Sequence, residues 1–191
     1  TPEPTRGVLK TGQTQCDNGS FVLDACPGIP VGQDGQLQKG TARSYTDNPD
    51  GTITDNSTGL VWEKLTNPSL PTIHAWYNFY NWADAFVVKI AALNTEPCFA
   101  GHCDWRLPNI NELQTLTDWG RVGPAIDTVF RTGNDGTGDS FTQGSFHWSS
   151  TTFQANPLYA WGVNFGDGSV NADLKTDTWN LLFVRAVRGG A

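Results

Sequence analysis

The sequence predicts one α+β domain preceded by a less regular N-terminal segment. Two segments have the apolar spacing of amphipathic helices, and several short apolar segments between clusters of Gly, Asn and Asp read as strands. The 191 residues suffice for one domain of ordinary size with a sizeable core. We place an N-terminal arm and a disulfide-closed loop in residues 1–33 and the folded domain in residues 34–191.

The N-terminal segment shows little hydrophobic periodicity, and its first 44 residues are rich in Gly, Gln, Thr and Pro. Residues 1–15 therefore read as an extended arm, and residues 16–39 as a loop. The chain contains no methionine. We therefore expect that a leader, most simply a secretory signal, was removed before Thr1.

The four cysteines fall into two close pairs, Cys16 with Cys26 and Cys98 with Cys103. An even number at short spacing suits two local disulfides formed in an oxidising compartment. Zinc is the alternative, with His102 as a further ligand, but the Cys-x2-Cys spacing of common zinc sites is absent. We therefore predict two disulfides and no metal.

Two hairpin turns follow the N-terminal segment, and regular structure is expected from Tyr45 onward. Residues 48–51, Asn-Pro-Asp-Gly, have the proline and glycine positions of a type I turn. Short strands are predicted at residues 52–54 and 60–62, with a second turn at residues 56–59.

The acidic residues of these turns allow a second interpretation. Asp47, Asp50 and Asp55 alternate with Asn and Gly, as in calcium-binding loops built from oxygen ligands. No glutamate closes such a loop, and turns require the same residue types. We favour plain turns and no cofactor, with calcium as the alternative.

The strongest helical pattern covers residues 74–94 and ends before Pro97. Its apolar residues recur at three- and four-residue steps and predict a helix that packs on a core. They are Trp76, Phe79, Tyr80, Ala83, Phe86, Val87, Ile90 and Leu93.

A second helix is predicted directly after Pro108. Asn109 and Glu112 have the spacing of a capping box, and Leu113 and Leu116 should face the core. Arg106 lies at the same boundary, so we expect Arg106 and Glu112 to form a structural ion pair or cap rather than a catalytic couple.

The last third of the chain predicts strands at residues 147–152, 159–165 and 181–187, with a polar surface loop at residues 133–145. A tight turn at residues 166–168 follows the second of these strands. In that strand, large apolar residues alternate with Gly and Asn, which predicts one packed face and one face in solvent. The loops and turns around it concentrate hydrogen-bonding groups and one large ring, and we predict a ligand-binding site formed by Asn164, Asp167, Asn171, Asp173, Lys175 and Trp179.

Charge narrows the range of partners. Nineteen acidic residues outweigh twelve basic ones, the formal net charge is −7, and the sequence contains no cluster of Lys and Arg. Nucleic acids and anionic membranes are therefore excluded as expected partners, because their binding depends on neutralising phosphates. No apolar segment approaches the ~20 residues that cross a bilayer, so we predict no membrane span.

Known catalytic motifs are absent from the sequence. There is no Gly-x-Ser-x-Gly, no His-Glu-x-x-His and no phosphate-binding loop. The three histidines, His74, His102 and His147, are scattered along the chain. We therefore expect a protein that is not an enzyme.

Several separate motifs recur in an order typical of one known family. They are Trp62, DWRLPNINEL from Asp104, Pro-Ala-Ile-Asp from Pro124, HWSST from His147, YAWGVNF followed by Asp-Gly, and VRAVRGG at the end. With these motifs, residues 34–190 resemble the family of the C-terminal domain of the Legionella collagen-like protein. That family is similar in outline to the C-type-lectin-like fold and to the formylglycine-generating enzyme.

The resemblance implies a C-type-lectin-like α+β domain with two helices, a twisted antiparallel sheet, short hairpins and long loops. It also implies a secreted or cell-surface protein used for adhesion to glycans or proteins. The fold alone does not determine the ligand.

Departures from these relatives restrict the function further. The formylglycine-generating enzyme uses cysteines in its C-terminal half, whereas this chain has no cysteine after Cys103. The Glu-Pro-Asn, Gln-Pro-Asp and Trp-Asn-Asp strings of calcium-dependent lectins are also absent. Sulfated glycans, with which the collagen-like adhesin is associated, conflict with the net charge unless a local basic patch forms. The candidates for such a patch are Arg121, Arg131, Arg185 and Arg188, and we expect at least one of the last two to pair with Asp or Glu.

Two main hypotheses follow. The first is an extracellular adhesion module that binds a glycan or a surface protein through the late loops. The second is a self-assembling subunit of an extracellular filament or surface layer, a homo-oligomer in which the N-terminal arm docks on a neighbouring copy. A third is that the late loops form a diversified receptor surface.

Overall fold

A computed structural model describes residues 7–26, 32–66, 72–131, 141–176 and 182–190. The strands are β1 (Cys16–Asp17), β2 (Leu23–Asp24), β3 (Tyr45–Asp47), β4 (Thr52–Asp55), β5 (Val61–Glu63), β6 (Phe79–Tyr80), β7 (Phe146–Thr152), β8 (Tyr159–Asn164), β9 (Val170–Leu174), β10 (Leu182–Phe183) and β11 (Val187–Arg188). The helical segments are α1 (Asp34–Leu37), α2 (Trp82–Asp84), a π-helical segment (Ala85–Ile90), α3 (Ala91–Leu93), α4 (Ile110–Thr115) and two 3₁₀ turns, Phe99–Gly101 and Thr128–Phe130.

The α+β class is confirmed, but the described strands form more than the single antiparallel sheet that we expected. A five-stranded sheet has the order β6-β10-β7-β8-β9, and a four-stranded sheet has the order β11-β5-β4-β3. The four-stranded sheet is antiparallel throughout, whereas β7 and β10 of the larger sheet run parallel. Strands β1 and β2 form a separate hairpin.

The final apolar segment joins the two large sheets. The prediction of one strand over residues 181–187 is wrong: β10 belongs to the five-stranded sheet and β11 to the four-stranded sheet. The chain crosses between the sheets at residues 184–186, where Arg185 is completely buried. The apolar pattern of the sequence cannot show such a change of sheet, because the residues of β10 and those of β11 are buried to a similar extent.

The five-stranded sheet lies between two helices. In β8, Val163 and Ala160 are three positions apart and therefore point to opposite faces. Val163 packs in one core cluster with Leu113 of α4, and Ala160 packs in a second cluster with Ala85 of the π-helical segment and Leu93 of α3. The expectation that one face of this strand meets solvent is therefore wrong, because each face is covered.

The first long helix is shorter than predicted. It runs without interruption through α2, the π-helical segment and α3, and its N-cap is Asn81, whose side chain accepts the backbone N–H of Asp84. Residues 74–81 are not helical. Instead, β6 pairs with β10, and the backbone of His74 pairs with Thr66. These non-local pairings override the helical spacing of the local sequence.

The π-helical segment also changes which residues of this helix are buried. Val87, predicted to face the core, is 68% exposed, whereas Lys89 is buried. A π-helix contains more residues per turn than an α-helix, so the buried face shifts along the sequence. The prediction for Val87 is therefore wrong.

The second helix begins as predicted. Asn109 and Glu112 form a capping box, and the side chains of Leu113 and Leu116 are fully buried. Arg106 and Glu112 form an ion pair at 2.7 Å. This part of the fold follows from contacts between residues close in sequence.

The acidic residues in and beside the two hairpin turns form hydrogen bonds and ion pairs with nearby residues. Asp50 accepts the backbone N–H and the hydroxyl of Thr52, and Asp55 accepts the backbone N–H and the hydroxyl of Thr58. Asp47 pairs with Lys64 at 2.7 Å. These contacts are those of plain turns and of an ion pair between the buried Lys64 and the half-exposed Asp47.

The two predicted disulfides, Cys16–Cys26 and Cys98–Cys103, are present. The predicted loop of residues 16–39 contains the β1–β2 hairpin and α1. The arm, as far as it is described, lies on its own domain. The N–H of Lys10 donates to the carbonyl of Thr41, and Thr11 accepts the N–H of Trp119.

Candidate functional site

The outward face of α4 carries a stripe of polar side chains. Leu113 is directed into the core, whereas Asn111, Gln114 and Thr115 are exposed or half-buried. Residues three and four positions apart lie on the same side of a helix, so these three side chains are neighbours. The capping box that begins the helix therefore also positions this stripe.

Trp119 follows the helix and is held at its end by two distant segments. Its backbone N–H donates to Thr11, and its indole edge lies against Gly168 in the turn between β8 and β9. A Cβ atom on Gly168 would lie 2.9 Å from the indole nitrogen. At 41% exposure, Trp119 is the single exposed tryptophan among those the structure describes.

A groove of about 600 Å³ opens beside this tryptophan. Its walls are the polar stripe of α4, the turn between β4 and β5 and the N-terminal segment at residues 7–9. Its lining residues are Gly7, Val8, Leu9, Arg43, Ser57, Thr58, Asn111, Gln114, Thr115 and Trp119. We call it the Trp119 groove. Its volume lies within the usual range of small-molecule sites, roughly 300–1,000 Å³.

Arg43 is the single charged residue among the lining residues that the structure describes. Its guanidinium donates to the backbone carbonyls of Lys10, Thr115 and Thr117. Two of these carbonyls lie at the C-terminal end of α4, where a positive charge is favourable. Arg43 thus joins the N-terminal segment to the helix and fixes the shape of the groove.

The amide side chains of the groove are available for a ligand. Within the described chain, the side-chain amides of Asn111 and Gln114 make no hydrogen bond. The hydroxyl of Thr115 donates to Glu112, and that of Thr58 donates to Asp55. Each amide offers both a donor and an acceptor. As far as the structure describes the chain, the groove therefore combines one exposed aromatic ring with two amides that have no hydrogen-bond partner.

Five of the six residues that we predicted to form a ligand-binding site lie in or next to strands β8 and β9 and the turn between them. Asn164 and Asp167 shape the turn after β8: their side chains accept the backbone N–H groups of Gly166 and Ser169. Gly168, which contacts Trp119, belongs to the same turn. These two residues therefore lie close to one flank of the groove.

Asn171, Asp173 and Lys175 lie beyond that turn, in or directly after the edge strand β9. The ammonium group of Lys175 donates to Thr152 and sits 4.0 Å from the ring centroid of Trp82. Lys175 thereby covers a face of this indole. Trp179 and most of the predicted polar loop at residues 133–145 lie outside the described residues.

The four arginines considered for a basic patch have different surroundings. Arg121 pairs with Asp118, and Arg188 pairs with Asp104 at 2.8 Å, as expected for a structural arginine. Arg185 is completely buried. Arg131 donates to the backbone carbonyl of Gly123. Two of the four arginines are therefore paired with carboxylates and a third is buried, which does not favour a basic surface.

A buried charge cluster, which the sequence did not reveal, lies between the two sheets. Glu63 is fully buried and accepts hydrogen bonds from Lys89 and, at 2.7 Å, from His74. Burial by itself would raise the pKa of Glu63, but the charge of Lys89 and the hydrogen bonds from His74 and Lys89 hold that pKa below its ordinary value. Burial lowers the pKa of Lys89, and Glu63 offsets part of this effect.

Arg185 and His147 extend this cluster. Arg185 donates to the backbone carbonyls of Glu63 and Phe141, and burial lowers its pKa to about 10. Burial and the nearby charge of Arg185 lower the pKa of His147 to about 3. His147 is therefore neutral at physiological pH. Its imidazole packs against Phe165 and Phe183, as a core residue would.

Potential metal ligands come together at one place in the described residues. The group consists of Glu96, Cys98 and Cys103. Both cysteines are engaged in their disulfide and have no thiolate to offer a metal.

Comparison with known families identifies the chain. The family model described as the Lcl C-terminal domain matches residues 51–188, well over half of its length. The chain belongs to this family. No curated protein and no solved structure matches the chain.

Membership in the Lcl C-terminal domain family indicates a domain of a surface or secreted protein. The disulfides are compatible with an extracellular location. Among the described helices, none has the length and apolar character needed to traverse a bilayer.

The Trp119 groove lies at the border of the family domain. Its helix, its turn and its tryptophan fall within the matched region, whereas Arg43 and residues 7–9 precede it. The N-terminal segment therefore adds one wall to a surface of the Lcl C-terminal domain. The sequence offered one signal for this site, the capping box, which fixes the outward residues of α4.

Proposed function

We propose that this domain is a non-enzymatic adhesion module of a secreted or cell-surface protein, and that it binds a glycan or a protein in the Trp119 groove. The two helices that flank the larger sheet, the two sheets and the disulfide-closed loops also suit a C-type-lectin-like architecture, which we propose for the domain.

The Trp119 groove carries this proposal. An aromatic side chain as large as tryptophan is usually buried, and exposing its ring costs free energy unless a partner covers it. Here the exposed ring borders a cavity of about 600 Å³ that is also lined by two amides of α4, which make no hydrogen bond within the described residues. This combination is typical of sites that hold a ligand by apolar contact and orient it by hydrogen bonds.

The chemistry of the groove supports binding rather than catalysis. Its described lining residues include no His, Cys, Asp, Glu or Lys. The hydroxyl of Ser57 donates to the carbonyl of Ala42 at 3.4 Å and has no base beside it in the lining. A nucleophile needs such a neighbour for activation.

A binding survey with matched variants tests the proposal. Wild type, Trp119→Ala and Trp119→Phe are applied to a glycan array and to an array of extracellular-matrix proteins. We expect saturable binding that Trp119→Ala reduces at least tenfold and Trp119→Phe reduces less, because phenylalanine retains an aromatic face. Leu158→Ala, which removes another exposed apolar side chain, is the control. Binding that survives Trp119→Ala would remove the groove from the proposal.

Self-assembly is the second candidate function, and it is favoured by the distribution of exposed apolar side chains. Of eleven large apolar residues exposed in the described chain, five lie within residues 8–37, ahead of the family match. Exposed apolar clusters mark protein interaction surfaces. The five are Val8, Phe21, Val22, Leu23 and Leu37.

The β1–β2 hairpin is the part of this segment best suited to dock on another copy. Phe21 at its tip is 98% exposed, and the Cys16–Cys26 disulfide closes its base. A rigid element loses little conformational entropy when it binds. Because residues 9–11 of the arm already bond to their own domain, we assign docking to the hairpin rather than to these residues.

Size measurement tests this second candidate. Wild type and the Phe21→Ser/Leu23→Ser variant are compared by light scattering over a range of concentrations, with Leu158→Ser as the matched exposed control. We expect concentration-dependent assembly of wild type and of the control, and monomers for the hairpin variant. A monomeric wild type at every concentration would eliminate the idea.

A further inference from the structure

We infer that the Trp119 groove selects uncharged glycans and rejects sulfated or otherwise anionic ones. This inference rests on the proposed function and specifies the ligand class of the same site. It assigns ring stacking to Trp119 and hydrogen bonding to Asn111 and Gln114.

The first argument is the charge of the lining. Arg43 is the single charged residue among the described lining residues, and its guanidinium is bonded to three backbone carbonyls. A sulfate in the groove would lose water, and among the described lining residues it would find no cation that is free of other partners. Burying an unpaired charge costs far more free energy than burying a neutral polar group.

The second argument is the electrostatic charge around Arg43. Arg43 also lines a smaller cavity of about 190 Å³, whose described charged residues are Lys10, Arg43, Asp118 and Asp127, so this cavity adds no net positive charge beside the groove. The whole chain carries a formal charge of −7. The net charge of the chain would therefore repel an anionic ligand at long range.

The third argument is the match between the free amides and sugar hydroxyls. Asn111 and Gln114 lie three residues apart on α4, so their Cβ atoms are roughly 5–6 Å apart. Each amide can donate one hydrogen bond and accept another. Adjacent hydroxyl groups of a sugar ring offer the same pair of functions, so one ring can satisfy the amides without carrying a charge.

The exposed indole completes the site. Among the described residues, no other ring stacks on Trp119, and its indole nitrogen makes no hydrogen bond. The C–H face of a sugar ring is apolar and can cover an aromatic ring, while its hydroxyls remain directed to polar groups. The groove therefore provides both kinds of contact that an uncharged sugar needs.

The test compares uncharged glycans with sulfated versions of the same backbones, at low and at high sodium chloride. Wild type, Asn111→Ala, Gln114→Ala and Trp119→Ala are measured, with Asn171→Ala as a control for an exposed amide on strand β9. Thermal melts establish that each variant is folded. We expect binding to uncharged glycans that changes less than about twofold with salt, because no ion pair contributes.

We expect Asn111→Ala and Gln114→Ala each to weaken this binding by about five- to tenfold, the effect of one hydrogen bond. Trp119→Ala should weaken it more, and Asn171→Ala should leave it unchanged. Tighter, salt-sensitive binding of sulfated glycans that Trp119→Ala abolishes would overturn the inference but leave the groove as the binding site. Glycan binding that Trp119→Ala leaves intact would overturn both proposals. If no glycan binds, the inference fails and only a protein ligand remains for the groove.

Discussion

Arg106 and Glu112 form a two-pronged ion pair in which both guanidinium–carboxylate distances are 2.7 Å. The same carboxylate accepts the backbone N–H of Asn109, and the same guanidinium donates to the carbonyl of Gly189. Burial acts to raise the pKa of Glu112, but the hydrogen bonds from Arg106 and Asn109 lower it overall. This pair therefore connects the start of α4 to the end of the last strand.

Replacing Glu112 should destabilise the domain because Glu112 both pairs with Arg106 and caps the start of α4. Glu112→Ala removes the ion pair and one half of the capping box, and we expect a loss of about 1–3 kcal/mol in the free energy of unfolding. Urea denaturation measures it. The exposed residue Glu96 supplies the control, and Glu96→Ala should change stability by less than about 0.5 kcal/mol. Equal effects of the two substitutions would contradict a special role for Glu112.

The Arg106–Glu112 pair was predictable from the sequence because its groups lie six residues apart at a helix start. The same holds for the two disulfides and the hairpin turns, whose partners are close in sequence. The start of the first long helix was not predictable, because strand β6 pairs with β10, about one hundred residues later. Local spacing predicts a conformation only where no distant partner competes for the same backbone groups.

Lys89 should be essential to stability because it neutralises a fully buried carboxylate. Lys89→Met leaves the charge of Glu63 in the core without its ammonium partner, and we expect a loss of about 3–5 kcal/mol. Lys64→Met breaks a pair with the half-exposed Asp47 and should cost clearly less than Lys89→Met, because water still reaches the carboxylate that is left. Chemical denaturation measures both variants.

A double substitution checks the cause of the Lys89 effect. Glu63→Gln together with Lys89→Met removes the stranded charge while retaining hydrogen-bonding groups. We expect the double variant to be more stable than Lys89→Met alone, because the buried charge is gone. If the double variant instead loses the sum of the losses measured for Glu63→Gln alone and for Lys89→Met alone, lost packing rather than charge explains the effect of Lys89→Met.

His147 should make stability depend on pH below neutrality. Its pKa is lowered to about 3 in the folded protein, whereas in the unfolded chain it is about 6.5. As the pH falls from about 6.5 toward 3, the imidazole of His147 therefore binds a proton in the unfolded state but not in the folded state. This difference lowers the free energy of unfolding by up to about 1.4 kcal/mol per pH unit. Above this window the contribution is constant.

Substitution by a residue that does not titrate isolates this effect. His147→Phe suits an environment formed by Phe165 and Phe183 and should flatten the decline in stability between pH 6.5 and about 4.5. Denaturation curves at several pH values measure the slope. The exposed His102 serves as the control, and His102→Gln should keep the wild-type slope. An unchanged slope in His147→Phe would contradict a buried, neutral imidazole.

The candidate site shows what the sequence could not provide. The predicted residues Asn164 and Asp167 were chosen for their chemistry, but their side chains are used to build a turn. Trp119 was overlooked because eight tryptophans look equally suited to a core in the sequence. Its position depends on Thr11 and Gly168, which are distant from it along the chain and meet only in the folded protein.

Gly168 should be required for the position of Trp119, and an alanine at this position tests that requirement. Gly168 has a φ of 84°, and a Cβ atom there would lie 2.7 Å from Thr117 Cγ2 and 2.9 Å from Trp119 Nε1. Gly19 has almost the same φ, 85°, but no atom lies within 4 Å of its would-be Cβ. Gly19→Ala therefore measures the backbone strain alone, about 1 kcal/mol, and Gly168→Ala should cost about 1–3 kcal/mol more because of the clash. Denaturation curves compare the stability of the two variants. Ligand binding to the Trp119 groove should weaken in Gly168→Ala but not in Gly19→Ala. Equal losses of stability in both variants, with binding intact, would mean that the indole does not rest on this turn.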